Sequence, residues 1–274
     1  MIHSKKQILG SEVHYWIHNP GQNKTIIAVH GFRGNHKALT DFASYFEHTT
    51  VILFDLPGHG QSSNMRPRHT MQNFARFLSE FINSFQLEQF DLWGHSFGGS
   101  IALLYASHHP VRLDKLVLVS PAVSVSGPLA TLGTIYYKFA RILPLRTQKA
   151  WLSSTIVDHI SGELLIKHVS SQRKSQLLKA GHRNLQEINP PVIIDSSLSY
   201  FKINCISLAK QIKAPVLIIA GQLDQLVPLS RLEMLFANIN NGTFKILPEH
   251  GHLSPLEIPG NIAHITEKFI NQTH

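Results

Sequence analysis

The sequence contains one cysteine and no long apolar run. Cys205 is the only cysteine among 274 residues, so an internal disulfide framework is excluded. No stretch approaches the roughly 18 apolar residues of a membrane-spanning helix. Nor does an apolar run follow Lys5 and Lys6, as it would in a secretory signal. We therefore expect a soluble protein of a reducing compartment, the cytoplasm.

Signatures of bound metals and nucleotides are absent as well. The 18 histidines have no zinc-type spacing relative to Cys, Asp or Glu. The sequence contains neither a G-x-G-x-x-G motif nor a phosphate-binding loop. We therefore predict that the protein works without a cofactor or a metal.

Acidic residues are scarce: 17 Asp and Glu oppose 25 Lys and Arg, which gives a net charge of +8. Most of this excess lies in residues 121–205, where ten basic residues face four acidic ones. The simplest interpretation is a solvated helical surface, and the alternative is contact with an anionic lipid surface or an acidic acyl carrier. Nucleic acid is not expected as a partner, because no recognition motif and no basic-aromatic tract occurs.

Short apolar runs alternate with helical patterns along most of the chain, and 43% of the residues are hydrophobic. This alternation predicts an α/β fold with a doubly wound, mostly parallel sheet. An edge strand is predicted at 13–18, and further strands at 25–29, 50–54, 90–93, 115–120, 215–221 and 243–247. Helices are predicted at 71–85, 97–109, 229–238 and 259–271. The alternation stops between 121 and 205, which predicts a helical cap inserted into a catalytic domain of residues 1–120 and 206–274.

The segment Gly94-His95-Ser96-Phe97-Gly98 follows the predicted strand 90–93 and precedes a predicted helix. It matches G-x-S-x-G, in which a sharp strand-to-helix turn presents a serine hydroxyl above the sheet. The following helix N-terminus stabilises negative charge that develops there. The alternative is an ordinary glycine-rich turn with a capping serine.

A serine hydroxyl is a weak nucleophile that needs a base and an acid that orients this base. Asp224 and His252 follow predicted strands 215–221 and 243–247, in the chain order serine, acid, histidine. His250 competes for the role of base, and Asp55 is a second candidate acid, although it precedes Ser96. Asp55 and Glu257 are more simply explained as structural residues, and Cys205 as a small buried apolar residue.

Together these segments resemble the α/β-hydrolase fold superfamily, in particular its capped, esterase- or lipase-like serine hydrolases. The resemblance covers about residues 13–120 and 210–274. It rests on HGF (30–32), DLPGHGQS (55–62), GHSFGG (94–99), GQLDQLVP (221–228) and GHLSPLEIP (251–259).

The resemblance implies that Ser96 is the nucleophile, His252 the general base and Asp224 the acid. It also implies an oxyanion hole formed by the backbone N–H groups of Phe32 and Phe97. A serine at the nucleophile position argues against dehalogenases and many epoxide hydrolases, which carry Asp there. The expected reaction is cleavage of a carboxylic ester or thioester through an acyl-enzyme. Alternatives are a carbon–carbon bond hydrolase of the same fold and a non-catalytic binding protein that keeps the fold.

The resemblance further implies that the cap supplies the substrate pocket. A helical stripe of apolar side chains predicts either a wall for an acyl group or a face docked on the catalytic domain. Its members are Leu129, Leu132, Tyr136, Phe139 and Leu143, with Ile135 and Ile142 beside them. The candidate substrate-binding residues are therefore Tyr136 and Phe139, together with His30, for which structural hydrogen bonding is the alternative.

Overall fold

The computed structural model describes residues 1–109, 112–123, 128–152, 166 and 169–272, and its centre is one eight-stranded sheet. The strand order is β1-β2-β4-β3-β5-β6-β7-β8. The first two strands run antiparallel to their neighbours, and β3 to β8 are parallel. The strands are β1 (Ile2–Ile8), β2 (Ser11–His18), β3 (Thr25–Val29), β4 (Thr50–Phe54), β5 (Phe90–His95), β6 (Leu113–Val119), β7 (Val216–Gly221) and β8 (Gly242–Leu247).

Helices cover both faces of this sheet, which confirms the predicted doubly wound architecture. Along β3, Ile27 and Val29 join the apolar cluster on one face, and Ile26 and Ala28 join the cluster on the other. This alternation explains why the parallel strands are continuous apolar runs in the sequence. The helices before β7 are α1 (Lys37–Ser44), α2 (Met71–Asn83), α3 (Phe97–His108), α4 (Pro128–Ile142), α5 (Leu145–Leu152), α6 (Ser171–Glu187), α7 (Pro190–Tyr200) and α8 (Cys205–Leu208). After β7 come α9 (Leu229–Phe236), α10 (Ser254–Glu257) and α11 (Pro259–Ile270).

The strand predicted at 13–18 is present, but the prediction that it lies at the edge of the sheet was wrong. Strand β2 has a partner on each side, because β1 pairs with it through a two-residue turn at Leu9 and Gly10. Both turn residues have positive φ angles, of 49° and 79°, as a tight hairpin with a right-handed twist requires. The sequence of β1 does not indicate a strand, because its side chains are mostly polar and exposed and so form no apolar pattern.

Between β6 and β7 the regular structure of the described residues is helical. Helices α4 to α7 enclose an apolar cluster of their own, separate from the two clusters that cover the sheet. Its buried members include Ala140, Leu152, Leu185, Val192 and Ile194. This segment is tied to the region before α2 by Arg68, which binds Asp195 through two guanidinium nitrogens. None of the helices in the described part of the chain combines the length and apolar composition that crossing a bilayer requires.

Candidate active site

Ser96 lies in the sharp turn between β5 and α3, at φ 53° and ψ −119°. A non-glycine residue with positive φ carries backbone strain of about 1–3 kcal/mol, so neighbouring contacts must hold it. Its N–H donates to the Val119 carbonyl at 3.0 Å, and its own carbonyl accepts from Ala122 N at 3.1 Å. The turn closes only because Gly98 has no side chain: a Cβ there would lie 2.4 Å from the carbonyl oxygens of Val29 and His30.

The structure brings Ser96, His252 and Asp224 into one hydrogen-bonded chain. The Ser96 Oγ lies 2.8 Å from His252 Nε2, and His252 Nδ1 lies 2.8 Å from Asp224 Oδ2. All three side chains are buried. The residues come from the carboxyl ends of β5 and β7 and from the loop after β8, where the sequence predicted them.

The second oxygen of Asp224, Oδ1, accepts hydrogen bonds from Leu226 N at 2.9 Å and Val227 N at 2.8 Å. Burial by itself raises the pKa of this carboxyl. The hydrogen bond from His252 and the backbone donors outweigh burial and hold the Asp224 pKa below its ordinary value. A carboxylate at this position accepts the proton of His252 Nδ1, which leaves Nε2 as an acceptor for the Ser96 hydroxyl.

The competing residues named from the sequence have other partners. His250 Nδ1 faces the Glu257 carboxylate, at 3.5 Å from Oε2. Asp55 Oδ1 accepts from His36 N at 2.7 Å, and its Oδ2 accepts from Gln61 N at 2.8 Å, so this carboxylate holds a turn. Cys205 is buried, and burial raises the pKa of its thiol to about 12, which disfavours the reactive thiolate.

The two histidines beside the site both contact the backbone. His30 Nδ1 donates to the Gly31 carbonyl at 2.8 Å, and its Nε2 accepts from Leu56 N at 3.0 Å. Both ring nitrogens therefore bind the backbone, which agrees with the structural alternative for His30, and contact of His30 with substrate stays a prediction. His95 Nε2 donates to the carbonyl of His252 at 2.9 Å, and burial lowers the pKa of His95 to about 3.

Ser96 opens into a cavity of about 500 Å³. The rings of Phe32 and Phe97 line it beside Ser96, with their centroids 5.6 Å apart. The N–H of Phe97 belongs to the first turn of α3, where backbone N–H groups have no partner within the helix. The helical segment contributes Gly133, Tyr137, Tyr200 and Phe201, and the loop after β7 contributes Gln225, Leu226, Val227, Pro228 and Arg231.

Tyr136 and Phe139, which the sequence predicts to bind substrate, are not among the residues that line this cavity. The Tyr136 hydroxyl donates to the Trp151 carbonyl at 3.1 Å. The Phe139 ring packs on Trp151 and is 45% exposed. Tyr137, the adjacent residue, faces the cavity instead, because one residue rotates a helix by about 100°. The side chain of Leu129 lies outside the described residues.

Across the described residues, no three His, Cys, Asp or Glu side chains form a group that could hold a metal ion. The groups that the described residues bring together beside Ser96 are a serine hydroxyl, an imidazole and a carboxylate.

Known proteins share both the sequence pattern and the architecture of this chain. Residues 24–259 match the family model described as alpha/beta hydrolase fold. An uncharacterized hydrolase of Bacillus subtilis, YugF, is 29% identical over 263 residues, which are 92% of this chain and 91% of YugF. The monoacylglycerol lipase ABHD6 of Bos taurus is 24% identical over 98% of this chain and 85% of its own length.

The architecture is also that of a thermophilic esterase from Thermogutta terrifontis, at a TM-score of 0.81 and 20% identity over 98% of both chains. At this level of identity the likeness shows the fold. The family match, in contrast, spans most of the chain and includes β3 to β8. The chain therefore belongs to the alpha/beta hydrolase fold family and is a hydrolase.

Proposed function

We propose that the protein is a serine hydrolase that cleaves a carboxylic ester through an acyl-enzyme on Ser96. The observation that carries this proposal is the continuous hydrogen-bonded chain from Asp224 through His252 to the Ser96 hydroxyl, at the wall of a largely apolar cavity. The name of one sequence relative, a monoacylglycerol lipase, supports an ester as the bond cleaved.

In the proposed reaction the Ser96 Oγ attacks the ester carbonyl carbon while His252 Nε2 takes the hydroxyl proton. The negative charge on the carbonyl oxygen is stabilised by the backbone N–H groups of Phe32 and Phe97. Collapse of this intermediate expels the alcohol, which takes the proton from His252. Water then loses a proton to His252 and attacks the acyl carbon, which releases the carboxylic acid and restores Ser96. Asp224 holds the imidazole ring and stabilises its charged form.

We further propose that residues 121–205 form a cap over a catalytic domain of residues 1–120 and 206–274. Gly133, Tyr137 and Phe201 of this segment line the same cavity as Ser96, which supports the assignment. An apolar cavity of about 500 Å³ suits a small-molecule ester with a medium-length acyl group. The two candidate sources of this substrate are an anionic lipid surface and an acidic acyl carrier.

The test compares wild type with Ser96→Ala on p-nitrophenyl esters and acyl thioesters of increasing acyl length. We expect Ser96→Ala to lower kcat by a factor on the order of 10⁶. Ser44→Ala, an exposed serine that donates to the Asp41 carbonyl, serves as the matched control and should keep wild-type rates. A fluorophosphonate probe should label wild type and not Ser96→Ala. Equal hydrolysis by both proteins would remove Ser96 from the mechanism.

A further inference from the structure

The outward side of α4 carries a row of exposed large apolar side chains. Leu132, Ile135, Phe139 and Ile142 follow helical spacing and are 64%, 59%, 45% and 77% exposed. Trp151 of α5 extends this row, because its ring lies 5.3 Å from the Phe139 ring. These five residues are called the outer face below. Contiguous exposed apolar surface of this kind marks a site of contact with a partner.

The charge of the segment that carries the outer face has one sign. Residues 128–152 contain Lys138, Arg141, Arg146 and Lys149 and no Asp or Glu. Arg141 is held by Asp195, whereas Lys138, Arg146 and Lys149 are exposed. A symmetric contact with a second copy of this chain would place these cations against one another. The charge therefore favours a partner that is both anionic and able to accept apolar side chains.

The same helix connects the outer face to the cavity. Gly133 and Tyr137 of α4 line the cavity that contains Ser96, while Ile135 and Ile142 lie on the exposed side. Because an α-helix with its side chains is about 10–12 Å across, the outer face and the cavity are separated by about one helix diameter.

We propose that the outer face is a membrane-docking surface for an anionic bilayer, and that the Ser96 site draws an acyl-ester lipid from that bilayer. Leu132, Ile135 and Ile142 enter the boundary between headgroups and acyl chains, and the exposed cations contact anionic headgroups. Helix α4 lies in the plane of the membrane surface. The choice of substrate rests on the proposed ester hydrolysis, whereas the docking itself does not.

Docking is tested by sedimentation of Ser96→Ala protein with vesicles of phosphatidylcholine alone or mixed with phosphatidylglycerol. We expect binding to the anionic vesicles, weakened by high salt. The double variant Ile135→Ser/Ile142→Ser should lower the partition coefficient by about a hundredfold. Lys138→Gln/Lys149→Gln should lower it about fivefold for each lysine. Ile2→Ser, at a residue of β1 that is 55% exposed, and Lys213→Gln on the exposed surface are the matched controls.

The same substitutions in the active protein separate docking from hydrolysis. We expect the isoleucine variant to hydrolyse a short soluble ester at the wild-type rate and a vesicle-borne ester more slowly. If this variant loses thermal stability, Ile142→Ser alone repeats the test, because Ile142 is the most exposed residue of the outer face.

Three results would overturn the proposal. The first is failure of the Ser96→Ala protein to bind anionic vesicles, and the second is equal binding by the isoleucine variant and Ile2→Ser. The third is that the protein is retained on an immobilised acidic acyl carrier protein but does not bind vesicles, and that the lysine substitutions abolish this retention. Vesicle binding as expected, together with no hydrolysis of any ester, would instead sustain the docking surface and reject the proposed ester hydrolysis.

Discussion

At the scale of single residues, the candidate site depends on side chains that bind the backbone as much as on those that face the cavity. His95 immediately precedes Ser96, and its Nε2 donates to the carbonyl of His252, so it links β5 to the loop that presents the proposed base. Its pKa of about 3 keeps the ring neutral, with one nitrogen as donor and the other as acceptor.

His95 is therefore expected to be a positioning residue for His252. His95→Ala should lower kcat roughly tenfold to a hundredfold while KM changes little, because the imidazole loses its backbone anchor. His95→Gln keeps a donor and should recover much of this loss. The measurement is steady-state kinetics of both variants on a soluble ester from pH 5 to 9. A parallel loss of folding stability with unchanged kcat would assign His95 a purely structural role.

Some residues of the site can be predicted from the sequence, and others cannot. The proximity of Ser96, Asp224 and His252 could be predicted because each follows a recognisable strand, and parallel strand ends converge at one edge of the sheet. Tyr137 could not be chosen over Tyr136, because both are aromatic and only the rotation of α4 decides which one faces the cavity. For His30 the sequence left substrate contact and structural hydrogen bonding open, because its two backbone partners, Gly31 and Leu56, cannot be identified from the motif.

At the scale of elements, Lys115 joins β6 to the end of α11. Its Nζ donates to the carbonyl groups of Phe269 at 3.0 Å and Ile270 at 3.1 Å. These carbonyl groups lie at the helix C-terminus, where partners within the helix are missing and a positive charge is favourable. The lysine thereby fixes α11 against the sheet on the face that also contains α1.

Replacing this lysine is expected to weaken the whole fold. Lys115→Met keeps the apolar stem but removes one donor from each of these carbonyl groups. Phe269 O keeps Gln272 N as a donor and Ile270 O keeps Lys24 Nζ, so we expect a cost of about 0.5–1.5 kcal/mol. The measurement is chemical denaturation at pH 7, with the exposed Lys213→Met as control. An unchanged midpoint for Lys115→Met would mean that water replaces the ammonium group without cost.

The sequence predicts well those strands and helices whose burial against the sheet core requires apolar residues at a regular spacing. Strand β3 and helix α2 are buried by the sheet core and carry apolar residues at the corresponding spacing. Strand β1 is held by backbone pairing with β2 and leaves no such pattern. In α4 the apolar spacing was detected, but part of the predicted stripe is exposed. Leu132 and Phe139 face solvent together with Ile135 and Ile142, because burial is only one of the reasons for an apolar helix face.

At the scale of the whole molecule, the fold contains several histidines that burial keeps neutral. Burial lowers the pKa of His59 to about 3, of His69 to about 4 and of His95 to about 3. The unfolded chain binds protons at these residues below about pH 6.5, and the folded chain does not. Asp91 has the opposite effect on the pH dependence of stability. Burial raises its pKa to about 7, so the folded chain keeps a proton that the unfolded chain releases.

Between about pH 6.5 and 4, the three histidines outweigh this one carboxyl, so the free energy of unfolding should fall on acidification. Each histidine contributes about 1.4 kcal/mol per pH unit to the slope of the free energy of unfolding against pH. His59→Phe should reduce the slope by this amount, since the His59 ring already packs against Phe32 and Phe74. Denaturation at pH 5, 6 and 7 gives the slope, and the exposed His48→Gln is the control. A slope unchanged by His59→Phe would show that His59 is protonated in the folded protein.

The sequence by itself determined seven of the eight strands of the sheet, their order along the chain and the three residues of the proposed triad. These features follow from local signals, namely apolar runs, glycines and polar residues at strand ends, which act over a few neighbouring residues. Only the tertiary structure decided which side of α4 faces the cavity and that the positive charge of residues 128–152 accompanies an exposed apolar row. The reason is that the rotation of a helix is set by all the elements packed around it, and its own spacing does not specify which face they cover.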